Sequence, residues 1–148
     1  MRVVIQRVTS ASVTVADEML GRIGRGAVVL VGIGHEDTTE TVDRMADKLI
    51  GLRYFEDAEG RTNLALGKID GALLVVSQFT LLADVRRGRR PGFTAAAPPE
   101  VAVPLLGRFV ERLRASVAVE TGRFGAEMAV ELVNDGPFTL VIDSDRDL

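Results

Sequence analysis

A chain of 148 residues, 47% hydrophobic and 26% charged, has the size and balance of one folded domain, able to bury roughly 68–70% of its unfolded surface. The absence of cysteine excludes disulfides, thiolate nucleophiles and thiolate metal sites, and a single histidine leaves one candidate for any histidine-dependent triad. A net charge of −3 supplies no whole-molecule field to draw in nucleic acid, and the longest apolar run, Ala27 to Val31, is far too short to cross a bilayer. With no basic-then-apolar layout at the amino terminus, a cytoplasmic protein is the expectation, with no membrane partner.

The first third reads as strands. "MRVVIQRVTSASVTV" is rich in β-branched residues, and "ASVTV" sets Ala11, Val13 and Val15 on one face with Ser12 and Thr14 on the other. Turns are expected near Ala16 to Glu18 and at Gly24 to Gly26, followed by "AVVLVGIG", apolar on both faces as a strand covered on both sides would be. Val42, Met45, Ala46, Leu49 and Ile50 recur at helical spacing, which predicts a helix over Thr41 to Leu52 with Asp37 and Glu40 resembling a capping box. "DAEG", Asp57 to Gly60, is a turn, Arg61 to Gly71 reads as loop, and "ALLVVSQFTL" is the next strand.

A second helix is predicted from "PPE", with Pro99 in its first turn and Leu105, Leu106, Phe109, Val110, Leu113 and Val117 as its apolar stripe. Pro104 falls inside that pattern and argues for an irregular first turn or a later start. "AEMAVELVND" and "FTLVID" read as two strands joined by the turn "NDGP", and residues 143–148 as a flexible, charged tail. There is no repeat or linker. Residues 1–148 therefore form a single α+β domain, a mostly antiparallel sheet or partial barrel with two main helices packed on it.

Most chemistries are ruled out by what is missing. His35 has no histidine or cysteine companion, so no metal site is expected, and neither G-x-S-x-G nor a phosphate-binding glycine loop occurs. No cofactor is implied. Two segments remain peculiar: Ser77, Gln78 and Thr80 at the end of an apolar strand, and "NDGPFT" with its glycine-proline pair. Each has an ordinary structural reading, since hydroxyls at strand ends bond local backbone and N-D-G-P makes a competent turn. The cluster "RRGRRPGF" is equally open to reading as a solvated loop.

Taken together, "SQFTL" at Ser77 to Leu81 and "NDGPFT" at Asn134 to Thr139 resemble the paired signature of the D-aminoacyl-tRNA deacylases, also called D-Tyr-tRNA deacylases, which hydrolyse D-amino acids off mischarged tRNA. "QRV" at Gln6 to Val8, "DAEG", "GRRPGF" and "TGRFGAEM" also match, so the resemblance covers nearly the whole chain. Phe138 stands where that family usually has a small aliphatic residue, and Gly92 where it usually has serine.

The resemblance implies an ester hydrolase with a backbone-built oxyanion site at Ser77, Gln78, Phe79 and Thr80. It implies a substrate-binding corner at Gly136, Pro137, Phe138 and Thr139, with a cis Gly136-Pro137 bond that excludes L side chains. By the same resemblance glycyl-tRNA is also a substrate, and the corner enters the site of a partner subunit, so that the enzyme is a homodimer with active sites at the interface. The expected partner is the tRNA 3′ end carrying an aminoacyl group, met by Arg86, Arg87, Arg89, Arg90 and Phe93, with Arg7 bracing the corner. The readings set against this are a non-catalytic RNA-end binding homodimer and a hydrolase of small D-amino-acid esters.

Overall fold

The computed structural model describes every residue from Met1 to Leu148 except Arg87. Its spine is β1, Arg2–Val15, in which the β-branched opening and the alternating "ASVTV" run on as one strand. One side of β1 pairs antiparallel with β3, Gly26–Gly32, and beyond it with β2, Glu18–Ile23; the other side is taken along nearly its whole length by β8, Ala129–Asp143. Ala16 and Asp17 both have positive φ at the β1–β2 turn, the twist that suits a tight hairpin.

From β3 the sheet continues in parallel to β6, Ala72–Ser77, and then to β7, Ala118–Thr121. Parallel neighbours need long crossovers. The first carries α1, Thr39–Gly51, and the hairpin of β4, Arg53–Glu56, with β5, Thr62–Ala65; the second carries α2, Pro99–Arg114. The fold is thus α+β, with a mixed and nearly closed sheet, three antiparallel pairings on β1 and two parallel ones beyond it.

Two cores follow from the period-two alternation of the strands. Val3, Ile5, Val29, Leu73 and Val75 face the helices, meeting the buried stripes Val42, Met45, Ala46 and Leu49 of α1 and Leu105, Phe109 and Leu113 of α2. On the other face Val13, Val28, Leu74 and Val76 fill the partial barrel, which closes as β2 curls round to approach β6 and β7. β3 is covered on both sides, as its unbroken apolar run predicts.

Several local expectations change. The helix α1 is capped by Thr38 with Thr41 rather than by Asp37 with Glu40. Asp37 is engaged elsewhere, accepting from the Met1 amino group at 2.5 Å and from Gly34 N–H at 2.6 Å. Pro104 sits inside an unbroken α2, because its missing N–H releases only the carbonyl of exposed Glu100. Residues 143–148 are not frayed: Ser144–Asp147 form a helical turn, α3, fastened by Ser144 N–H to the Met1 carbonyl and by Lys48 Nζ to the Asp147 carbonyl. "NDGP" does not join two strands. It lies within one continuous β8, and its place there shapes the functional site.

Candidate active site

At the carboxyl ends of the parallel pair β3 and β6 the chain must leave the sheet, and it does so at Ser77, the last residue of β6. Gln78 N–H still bonds the Val31 carbonyl at 2.7 Å, after which Phe79–Leu82 wind into a single 3-10 turn. The first N–H groups of such a turn have no partner within it. Those of Phe79 and Thr80 find no acceptor among the described residues. The far end of the turn is pinned by Arg2, whose Nη1 donates to the Leu81 carbonyl at 2.7 Å while Nε and Nη2 hold Asp143. Burial raises the Asp143 carboxyl, but the Arg2 guanidinium, the Asp145 N–H and the amino terminus outweigh it and leave that group below the usual carboxylate range.

Ser77, Gln78 and Phe79 form one wall of a cavity of ≈ 290 Å³. Its other walls are Val31 and Ile33 from β3, Ala96, Ala97 and Pro99 from the loop before α2, Ala102 and Leu106 from α2, and Phe124 with Gly125. The loop is held there by Ala97 N–H to the Ile33 carbonyl at 2.9 Å and by His35 Nε2 with the Thr94 carbonyl at 2.9 Å. No lining residue is ionisable. Thr80 does not line the cavity; its Oγ1 accepts from Gln78 Nε2 at 2.5 Å. A second cleft, of ≈ 330 Å³, shares Ser77 to Phe79 and Gly125 with the first and is also bounded by Glu127 and Met128.

The arginine cluster joins this site through an aromatic pair. Phe93 is 38% exposed rather than buried in the core, and its ring meets that of Phe79, 55% exposed, edge-on at 5.1 Å between centroids. Reciprocal hydrogen bonds between Asp84 and Gly92 close the intervening loop, on which Arg86, Arg89 and Arg90 are exposed. Arg86 is committed to Asp84 through Nε and Nη2, and its hydrogen bonds hold that carboxyl far below the usual carboxylate range. Arg87 lies outside the described residues.

Gly136 and Pro137 are not part of this cavity in their own chain; both are exposed. Their peptide bond is cis. Along β8 the ladder to β1 runs Gln6↔Thr139 and then Val8↔Asn134, so five steps on β8 face two on β1. The surplus, Asp135 to Phe138, bulges out opposite Arg7. Asn134 Nδ2 straddles its base, donating to the Arg7 carbonyl at 2.8 Å and the Phe138 carbonyl at 3.3 Å. Thr139, back in the ladder, accepts from Gln6 Nε2. Arg7 itself is 4% exposed, not on a solvated face; it donates to the Tyr54 and Asp135 carbonyls and pairs with the Asp135 carboxylate at 3.0 Å. The Tyr54 hydroxyl is buried without a hydrogen-bond partner among the described residues, and burial raises its pKa.

Ser77 to Thr80 and Phe93 are therefore brought together, while Gly136 to Thr139 form a separate feature of the same chain, exposed at Gly136 and Pro137 and backed by buried Arg7. Residues that sequence reasoning did not place at the site are the cavity walls Ala96, Ala97, Ala102, Leu106 and Phe124, Leu106 entering there only as part of a helix stripe. The signal for the first three was the run of small residues in "TAAAPPEVA", which leaves space beside a helix start. Among the described residues no group of three or more His, Asp or Glu side chains is placed to hold a metal, and no helix is long and apolar enough to cross a membrane.

Comparison with known proteins agrees along the whole length. The family model described as D-Tyr-tRNA(Tyr) deacylase matches residues 4–143. The D-aminoacyl-tRNA deacylase of Symbiobacterium thermophilum is 58% identical over 147 residues, 99% of this chain and 97% of that protein. That of Chloroflexus aurantiacus is 59% identical over 145 residues, 97% of this chain and 91% of the relative. Among solved structures, the c-Myc DNA Unwinding Element Binding Protein superimposes with a TM-score of 0.91 at 41% identity, covering 97% of this chain and 98% of that one. A probable eukaryotic D-amino acid tRNA deacylase, 21% identical, shares the fold with a TM-score of 0.82 over 95% of this chain and 97% of its own.

Proposed function

The chain belongs to the D-Tyr-tRNA(Tyr) deacylase family, enzymes whose substrate is aminoacyl-tRNA, and from that premise we propose that it cleaves the ester of D-aminoacyl-tRNA and glycyl-tRNA while rejecting L-aminoacyl-tRNA. Water adds to the ester carbonyl, and the products are the free amino acid and a tRNA with its terminal hydroxyl restored. The observation that supports the mechanism is the pair of adjacent N–H groups on Phe79 and Thr80, without acceptors among the described residues, the first of them on the wall of a cavity lined by no ionisable residue. An aminoacyl ester is already activated, so the main need is to stabilise the oxyanion as it forms. Preorganised main-chain donors do this at ~3–4 kcal/mol each in comparable acyl-transfer sites. An apolar enclosure strengthens them by excluding water. The base is supplied by the substrate, whose terminal 2′-hydroxyl takes part in the reaction.

Stereochemistry is assigned to the Gly136-Pro137 corner. Its main-chain carbonyls collide with an L side chain and leave a D side chain free to project outward, so selection works by exclusion and is indifferent to which D-amino acid is bound. Glycine, with no side chain, is not excluded. Because the corner is exposed and lies outside its own chain's cavity, it completes the cavity of a second copy in a two-fold dimer, each subunit giving and receiving the same corner. Supporting this, the outer edge of β8 has no strand partner among the described residues, and Val133 and Val141 are more than half exposed along it. A long apolar edge strand calls for cover. Light scattering should give a mass twice the 15.9 kDa of the chain. A monomer at the enzyme concentrations of an activity assay would refute the shared site.

The RNA end is placed on the exposed arginine loop, with the Phe79 and Phe93 rings offering a face for a terminal base. Arg89 and Arg90 are the better candidates for phosphate contact, since Arg86 is held by Asp84. Replacing Arg89 and Arg90 by alanine should raise KM for aminoacyl-tRNA and flatten its salt dependence while leaving kcat near the parent value, because phosphate contacts add binding that is lost uniformly. A hydrolase of small esters would be indifferent to that change. The decisive test of the function is the release of amino acid from D-Tyr-tRNA, L-Tyr-tRNA and Gly-tRNA: hydrolysis of the first and third only is expected, and release from L-Tyr-tRNA at the D rate refutes the reading.

A further inference from the structure

We propose that Phe138 is a specificity-determining positioning residue, its ring clamping the Arg7 guanidinium and through it holding the Gly136-Pro137 corner rigid enough to tell one α-carbon hand from the other. The inference rests on the reading of the corner given above. Arg7 is stacked on aromatic faces: its Cζ lies 4.2 Å from the centroid of the Phe138 ring and 5.9 Å from that of Phe55. A guanidinium removed from water must find compensation on all sides. In the plane it has the Tyr54 carbonyl at 2.7 Å, the Asp135 carbonyl at 3.2 Å and the Asp135 carboxylate at 3.0 Å; above the plane, Phe138 supplies the closer of the two rings.

The corner depends on this arrangement because its other holds lie at its base, where Asn134 Nδ2 donates to the Phe138 carbonyl at 3.3 Å and Phe138 rests against the core. Residues 135 to 138 have no ladder partner on β1. Among the described residues Gly136 and Pro137 are held from their flanks, and both flanks meet the Arg7 side chain, Asp135 by hydrogen bond and ion pair, Phe138 by its ring. Selection by exclusion works only if the excluding carbonyls cannot give way. Without the ring, water reaches the guanidinium and its longest bond, to the Asp135 carbonyl, is the first to loosen. A corner that yields admits the L side chain, so selectivity falls further than turnover of the D substrate.

The test compares kcat/KM for D-Tyr-tRNA and L-Tyr-tRNA in the wild type, in Phe138→Leu, which keeps apolar bulk but has no π face, and in Phe138→Tyr, which keeps the face. The D/L ratio should fall ~10-fold or more in the leucine variant and return in the tyrosine variant. A selective wild type beside an equally selective leucine variant overturns the inference alone, whatever the thermal midpoint does, since the ring would then be packing only. A wild type with no D preference overturns the reading of the corner and this inference with it. Should the leucine variant fail to fold, the Nε–H of isotope-labelled Arg7 in the wild type decides: slow solvent exchange supports the clamp, and rapid exchange refutes it.

Discussion

Aminoacyl-tRNA whose terminal ribose lacks its 2′-hydroxyl should be hydrolysed ~10²–10⁴-fold more slowly than the ribose form, the span that a positioned proton-transfer group contributes. The expectation follows from the composition of the cavity wall, where no carboxylate, imidazole or amine is present to take a proton. The rival is Thr80 as nucleophile. Its Oγ1 accepts a hydrogen bond from the Gln78 amide at 2.5 Å, and an amide N–H that donates to a hydroxyl oxygen cannot receive that hydroxyl's proton. Thr80→Ala should accordingly retain activity within about tenfold, the scale of losing one neutral hydrogen bond. Single-turnover release of D-tyrosine from the two RNA forms, with the wild type and Thr80→Ala, separates the cases. A deoxy substrate cleaved at the normal rate by a wild type that Thr80→Ala inactivates would restore the threonine as nucleophile.

Gly136→Ala should cost ~10²-fold or more in kcat/KM for D-aminoacyl-tRNA, the effect of displacing a substrate by about an ångström, with no loss of fold. Within the chain the added methyl has room: beyond its chain neighbours the nearest atom among the described residues is Asn134 Oδ1 at 3.6 Å, and Gly136 is not among the glycines with positive φ. The thermal midpoint should therefore stay within the few degrees that an exposed substitution allows. The methyl would instead occupy space that belongs to another molecule. Kinetics and thermal unfolding on the same preparation check both halves, and a variant as active as the wild type would place the corner far from any substrate.

How much of this was legible in the sequence depended on burial. β3 announces itself because its residues are buried alternately in the two cores, and the stripes of α1 and α2 because every third and fourth residue is buried in one of them. β5 and β7 did not, being four residues each with at most one buried position, too short and too wet to leave a period. The single course of β8 was hidden by a segment whose composition is that of a turn; only the ladder on both sides of it shows that the chain does not reverse. At the site, the resemblance pointed to "SQFT" and "NDGPFT" and to their meeting across two subunits, but not to the single strand that carries the second of them. The burial of Arg7 was illegible as well, because it depends on Tyr54, Phe55 and Asp135 arriving from remote stretches.

The excursion at Asp135 to Phe138 is spare length in an otherwise continuous hydrogen-bonded seam. Excise those residues down to the count on the facing strand and the seam could close flush, since both of its halves are registered independently against β1. Architecture and discrimination are then written in different parts of the same strand, and a short deletion could erase the second while sparing the first.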